Sequence, residues 1–389
     1  MSVGVIRNTN FTKEGTLDDS DIAYLDVEVK QFISRKLEFG DLILEKSGGG
    51  PKQPVGRVIS FDKMVGNFSF SNFTSIIRIK DKAILDYSFL HKFLYYLYVT
   101  GATEKMQRQS TGIRNLQLKE YKLINVPLPP LPEQKHIVSI LDQAFADLEQ
   151  TRAKTEQNLK NARELFDSYL EQVFSQKGEG WVALPLGDIC DFKHGFAFKS
   201  EFFVDKSKLV LLTPGSFYED GGYRDRSEKT KYYEGDFPAE YLLNKGDLLV
   251  AMTEQAVGLL GSSALVPENG TFLHNQRLGL VELTPEFKNK VSLKFLFHLF
   301  NTKDFRAKVQ ETASGIKVRH TSPKKMKAIS VPLLTDLEEQ EVIAQKLFEA
   351  KEHVIELELI YKHKLTAINE LKKSILQKAF SGELTAKAE

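Results

Sequence analysis

The feature that most constrains this chain is that it repeats itself at a spacing near 206 residues. Gly40-Asp41-Leu42-Ile43 returns as Gly246-Asp247-Leu248-Leu249, and Gly112-Ile113-Arg114 as Gly315-Ile316-Lys317. Val126-Pro127-Leu128 returns as Val331-Pro332-Leu333, Glu133-Gln134 as Glu339-Gln340, and Phe174-Ser175 as Phe380-Ser381. The matches keep their order and nearly keep their register, which chance does not do five times. Self-similarity at a fixed spacing sets architecture before any local reading. The chain is two copies of a head followed by a long helix. The copies are unequal. The second opens with Trp181, Leu184-Pro185-Leu186-Gly187-Asp188-Ile189 and Gly195-Phe196-Ala197-Phe198-Lys199, about thirty residues for which the first has no counterpart.

The helices follow from proline. Pro127, Pro129, Pro130 and Pro132 forbid a helix before about Glu133, and neither Pro nor Gly recurs until Gly178. Apolar or small residues fall at Ile137, Leu141, Ala144, Leu148, Thr151, Thr155, Leu159, Ala162, Phe166, Tyr169 and Val173, mostly in alternating steps of four and three. The second copy shows the same seam from Ile343 through Leu347, Val354, Tyr361, Ile368 and Ile375 to Ala379. That is a heptad-type stripe. A helix of about 43 residues spans about 65 Å, too long to bury on one compact head. The seams predict that the two helices pair antiparallel in one coiled coil, acting as a spacer with the heads at opposite ends. The segments are then 1–131, head 1; 132–177, helix 1; 178–337, head 2; 338–380, helix 2; and 381–389, a tail.

Each head mixes strands and helices. Asp41-Leu42-Ile43-Leu44, residues 55–59 and 75–79 read as strands in the first head, and residues 248–252 and 278–283 in the second. Helical stretches follow at 87–98 and 293–300. The class is α/β or α+β, and the sequence leaves both open. The run from Ser47 to Arg57 is rich in Gly but fails as a phosphate loop. No Gly-Lys-Ser/Thr closes it, and Pro51 and Pro54 stiffen it. It reads as a turn or as a surface loop whose Lys52 and Arg57 meet DNA phosphates.

Charge is distributed unevenly. The net charge is +1, but the head segments sum to +6 and the helical segments to −5, the pattern of basic heads on acidic struts. A basic stretch precedes each proline junction. The second head carries Lys303, Arg306, Lys308, Lys317, Arg319, His320, Lys324, Lys325 and Lys327 against Asp304 and Glu311. The first carries Lys105, Arg108, Arg114, Lys119 and Lys122 against Glu104 and Glu120, with Gln107, Gln109 and Asn115 interspersed. Arg and Lys suit phosphates and guanine edges, and Asn and Gln suit adenine. A solvated loop explains any one of these residues; the segment's recurrence in register favours DNA contact. Lys317, Arg319, Lys324 and Lys325 are the expected main contact of head 2, with Arg108 and Arg114 their counterparts. Arg224 and Arg226, beside Lys229, Lys231, Tyr232 and Tyr233, form a weaker third patch diluted by Asp225 and Glu228.

The chemistry that the chain lacks is informative. One cysteine, Cys190, forms neither an internal disulfide nor a thiolate cluster. The N-terminus has no leader-like apolar core, and no run approaches the roughly 20 apolar residues of a membrane helix, so a cytoplasmic protein with no membrane partner is expected. No Asn-Pro-Pro-Tyr/Phe methylation motif, Walker sequence or Pro-Asp…Glu-x-Lys nuclease constellation is evident. The eight histidines form no metal-ligand pair; His274 and His320 stand singly. A binding protein is favoured over an enzyme.

Pro127-Leu128-Pro129-Pro130-Leu131-Pro132-Glu133-Gln134 followed by a long helix, twice per chain, resembles the specificity subunit of type I restriction–modification systems. Trp181…Leu186-Gly187-Asp188-Ile189 resembles the opening of that family's target-recognition domains, and Phe380-Ser381-Gly382-Glu383-Leu384 its C-terminal ending. The resemblance implies two target-recognition domains reading a split site in double-stranded DNA, with the paired helices setting the gap. It implies no catalytic residue, no metal and no cofactor in this chain. S-adenosylmethionine would be held by two partner modification (methyltransferase) subunits, and ATP and Mg by restriction/translocase subunits. The second junction has fewer prolines, and the short first head leaves a specificity subunit with an incomplete recognition domain as an alternative. A coiled-coil scaffold that binds only proteins is the other. On the first reading, the exposed acidic faces around Glu149, Glu156, Glu356 and Glu358 would grip the modification subunits.

Overall fold

The computed structural model describes residues 1–50, 53–110, 112–175, 178–255 and 257–385. The chain forms two compact units, Met1–Gln157 with Tyr361–Glu389, and Asn158–Ile360. Each unit holds one head and part of both long helices, Leu131–Phe174 and Leu337–Ser381.

In the first unit, strand Leu42–Glu45 lies between Val58–Ser60 and Thr74–Ile77, antiparallel to both. Successive side chains of a strand point to opposite faces, and here both faces are apolar. Leu42 and Leu44 pack with Val58, Leu90, Phe93 and Leu94, while Ile43 packs with Ile6, Phe11, Ile59 and Phe61. The helix Tyr87–Val99 covers the first of these faces; its start is fixed by Asp86, whose carboxylate accepts from the backbone N–H of Ser88 and Phe89. A second sheet sets Ser2–Ile6 between Ala23–Asp26, antiparallel, and Phe68–Phe70, parallel. A third joins Ser47–Gly49 to the hairpin Gln107–Ser110 and Ile113–Leu116.

The second unit repeats this plan. Leu248–Ala251 lies between Ser263–Leu265 and Leu278–Leu283, and Val210–Leu212 runs parallel to Phe272–His274. Helix Leu293–Phe300 is capped by Ser292. Two strands are added by the residues that open the second copy. Cys190–His194 pairs with Leu278–Leu283, and Trp181–Pro185 pairs with Ser330–Leu334. Strands interleaved with short helices and both antiparallel and parallel pairing make the heads mixed α/β, each followed by a long helix.

The Glu-Gln of each junction has a specific task. Gln134 is fully buried. Its Oε1 accepts from Asp86 N at 2.9 Å, and its Nε2 donates to Ile84 O and Pro129 O at 2.9 and 2.8 Å. Gln340, equally buried, accepts from Ser292 N at 2.9 Å and donates to Lys290 O and Leu334 O at 2.9 and 2.7 Å. One carboxamide thus satisfies three buried backbone groups and fastens the long helix to the cap of the head's own helix. Only a side chain with both donors and an acceptor does this.

The long helices pair antiparallel. In the first unit Glu149 meets Lys372 at 3.5 Å while Arg152, three residues on, hydrogen-bonds Asn369, three residues back. In the second, Arg163 forms a two-pronged ion pair with Glu358 at 2.6 and 3.0 Å. Thr151 and Thr155 turn their hydroxyls back to the carbonyls of Asp147 and Thr151, so these polar interruptions in the seam are satisfied within the helix.

Candidate nucleic-acid interface

In the second head, the candidate surface is built around a short ribbon. Thr253–Glu254 pairs with Arg319–His320, and Ser314 bridges His320 to close a turn over residues 315–318. Gly315 takes φ +98°, and a Cβ there would lie 2.2 Å from Val318 O, so the turn requires glycine. The ribbon is anchored from below by Glu254, which is buried. One carboxylate oxygen accepts from the backbone N–H of Gly258, Leu259 and Leu260 at 2.8–3.0 Å. The other accepts from Arg319 at 3.1 Å. Arg306 completes the support, donating to Leu260 O at 3.0 Å, to Glu219 O at 2.7 Å and to Gly258 O. Burial lowers the Arg306 pKa from its ordinary value, offset by Glu254 and Glu219. Nothing in the sequence singled out Glu254, because the arginine it holds is remote from it along the chain.

This network corrects part of the sequence reading. Arg319 is spent on Glu254 and on Gln310 O, so it holds the ribbon rather than projecting from it. Lys325 donates to Thr312 O at 2.7 Å, and Lys327 pairs with Asp191 at 3.3 Å. His320 is exposed, with Nε2 3.3 Å from Ser314 Oγ. Lys317 and Lys324 are exposed, Lys317 on the turn and Lys324 on the short helix Pro323–Lys327. Arg224 is exposed beside the Tyr218 ring, 5.9 Å from its centroid. Arg226 lies against Gly215, where an added Cβ would meet its guanidinium at 3.0 Å.

In the first head, Arg57 is also a fold residue. Its Nε and Nη2 donate to the two oxygens of Glu45, both at 2.8 Å, and Nη1 donates to Phe11 O at 2.9 Å. The side chains are 11% and 2% exposed, so Arg57 is not available to a phosphate. The Glu45 hydrogen bond raises its already high pKa. Lys52 lies outside the described residues. Arg108 and Arg114 share a hairpin but not a face. Arg108 stands opposite Asn115, and Arg114 opposite Gln109; neighbours in a strand point opposite ways. Arg108 is exposed, whereas Arg114 is half-buried with Glu104 at 3.9 Å. Lys119 is exposed on the turn of helix Leu118–Tyr121. Gln107 holds the neighbouring loop, clamping Val55 through both its N–H and its carbonyl.

On the helices, Glu149 and Glu358 lie in the pairing seam, not on a free face. Glu156 and Glu356 are exposed.

Among the described residues no group of three or more His, Cys, Asp or Glu could hold a metal, and no helix is long and apolar enough to cross a membrane. Burial pushes the Cys190 thiol up to about 12, which denies it thiolate reactivity. His274 is buried with Nε2 2.9 Å from Leu278 O, and burial pushes it down to about 4.

The family model of the type I restriction modification DNA specificity domain matches residues 9–159 and 178–370. The specificity subunit of the StySPI type I restriction enzyme of Salmonella potsdam is 26% identical over 98% of this chain and 82% of its own length. That of EcoKI from Escherichia coli K12 shows the same identity and shares. The MjaVIII subunit of Methanocaldococcus jannaschii is 24% identical over 81% of this chain and 74% of its own. Among solved structures, a chain from work on complex assembly and conformational transition of the type I R-M system superposes with a TM-score of 0.76 at 18% identity, covering 98% of this chain and 92% of that one. The HsdS subunit of Thermoanaerobacter tengcongensis gives 0.63 at 16%, covering 98% and 91%. These two likenesses are of fold.

Proposed function

Because this chain belongs to the type I restriction–modification DNA specificity family, we propose that it is the reading subunit of such a system: each head reads one part of a split duplex site and the paired helices set the gap. The observation that carries this reading is the duplication itself. Two heads of one plan, each clamped to its helix by the same glutamine, each present a hairpin bearing exposed cations, Arg108 in one and Lys317 in the other. The chain supplies position and sequence discrimination and performs no bond chemistry. Methyl transfer from S-adenosylmethionine belongs to two modification subunits gripping the helices, with Glu156 and Glu356 on the gripped faces. ATP- and Mg-dependent cleavage belongs to restriction subunits.

Salt-dependent binding to duplex DNA tests it. Replacing Lys317 and Lys324 by Ala should weaken binding to every duplex and reduce the slope of log affinity against log salt by about one per lost phosphate contact. Arg319 is unsuitable for this test because its loss disturbs Glu254. Methylation mapping of the host genome with and without the gene should show one split motif that depends on the chain. Binding without salt dependence, together with an unchanged methylation map, would overturn the reading.

A further inference from the structure

Each head carries an exposed isoleucine that the fold does not use. Ile316 is 100% exposed on the turn over residues 315–318, and Ile113 is 46% exposed at the tip of the first head's hairpin. One exposed aliphatic residue on a surface is ordinary. Here the two occupy the same place in the repeat, and each follows a glycine of positive φ, Gly112 at +83° and Gly315 at +98°. Each precedes a cation, Arg114 or Lys317. Both are carried on backbone held from behind, by Glu254 and Arg319 in one head and by Asn115 accepting from Ser47 Oγ at 2.6 Å in the other. In the first head Ile113 stands opposite Ser110, on the hairpin face that also carries Arg108 and Asn115.

We propose that Ile113 and Ile316 are apolar wedges that press into the base stack of duplex DNA, one per head, a contact made whatever the sequence; this rests on the DNA-reading function proposed above. Two heads that read different sequences must differ where they read. A motif they share must meet what every duplex has, its stacked bases and its phosphates. A branched aliphatic side chain makes no hydrogen bond to a base edge. It can cover a thymine methyl, which discriminates sequence, or enter a base step and partly unstack it, which does not. Its presence in both heads selects the second. Exposed Lys317, next in the chain, is placed for the flanking phosphate.

The test uses the full chain and a random-sequence duplex carrying 2-aminopurine at successive adenines, with a duplex of the mapped motif as a second arm. On the mapped-motif duplex, where the register is fixed, the wild-type chain should raise 2-aminopurine fluorescence at one step per head; on the random-sequence duplex, where it is not, the rise should be spread over many adenines. Ile316→Ala and Ile113→Ala should each remove the signal at one step and weaken binding on the order of tenfold on both duplexes. Ile316→Leu should restore both. Because the side chains are exposed, thermal unfolding should not move. Unchanged affinity and fluorescence would overturn the proposal, as would a loss confined to duplexes with thymine at one position. A loss of assembly with the modification subunits while DNA binding is intact would also overturn it. A wild-type chain that binds no duplex fails the reading above rather than the wedge.

Discussion

The two heads share a plan, yet the same leucine is buried in one and open in the other. Leu333 of the second unit is 2% exposed; its counterpart in the first, Leu128, is 59% exposed. The difference comes from residues 178–194. Val182 pairs with Leu333, and Leu186 N donates to Ile329 O at 2.9 Å. The strand Cys190–His194 then occupies the outer edge of Leu278–Leu283. In the first unit, among the described residues, Thr74–Ile77 pairs on one side only. The same leucine in the same Val-Pro-Leu motif is core or surface according to a segment from the far end of the head's own sequence. What does not differ is the glutamine clamp, so the attachment of head to helix is independent of how the head's outer edge is finished.

The largest expected effect separates the heads by how each buries its glutamate. Glu45 relies on Arg57, whereas Glu254 has three backbone N–H donors besides Arg319. Arg57→Ala strands a buried carboxylate and should cost about 3–5 kcal/mol in the first unit. Arg319→Ala should cost the second only about 1–2 kcal/mol. Hydrogen exchange followed by mass spectrometry resolves the two units in one sample, and Trp181 fluorescence reports on the second alone. Equal losses would show that the backbone donors do not shelter Glu254.

Next in size is the clamp, where the units should agree. Gln134→Leu and Gln340→Leu each leave two carbonyls and one N–H unpaired beside a buried apolar side chain. Each should cost its own unit about 2–4 kcal/mol. A loss in one unit at least twice that in the other would break the equivalence.

How much of this was legible in the sequence follows from the range of each interaction. The repeat, the long helices and the junction glutamines were readable because a proline run, a heptad stripe and a fixed offset are local or periodic signals. The candidate surface was less so. Arg57, at the end of a glycine-rich run, and Arg319 and Lys317, in a basic stretch, look alike as candidate phosphate contacts. Only Glu45 and Glu254, each outside the local sequence pattern, show that the first two are engaged while the third is exposed. Arg108 and Arg114 read as one patch until the hairpin register put them on opposite faces. Glu149 and Glu358 read as free acids because the helix that engages each belongs to the other copy of the repeat.

A smaller difference should appear with pH. The first unit buries His91, held down at about 4, and the second buries His274 and His298, at about 4 and about 3; burial is the main cause in each. A folded pKa below the unfolded value of about 6.5 means that the unfolded chain binds more protons between the two. Stability is therefore complete above pH 6.5 and falls as pH drops toward 4. At pH 5 each ring should cost on the order of 1–2 kcal/mol, so the second unit should lose more than the first by about one ring's worth. Denaturation midpoints at pH 7 and 5, read unit by unit, check this. A larger loss in the first unit would mean that its other ionisable groups outweigh its histidine.

The smallest expected effect is the most direct probe of the open surface. Leu123→Ser and Leu128→Ser remove apolar groups that already face water, so the transfer term in the first unit is close to zero. Serine also places no unsatisfied hydroxyl, since water reaches it at both positions. Surface changes away from caps, networks and strained backbone stay within about 0.5 kcal/mol, and neither leucine belongs to such a feature. The double variant should therefore unfold at the wild-type midpoint while showing less self-association, because a solvent-facing leucine contributes to attraction between chains. The measurement is chemical denaturation of the first unit alongside sedimentation over a concentration series. A loss above about 1 kcal/mol would mean that something covers Leu128 in solution as residues 178–194 cover Leu333, and the contrast between the heads would then be one of covering segment rather than of exposure.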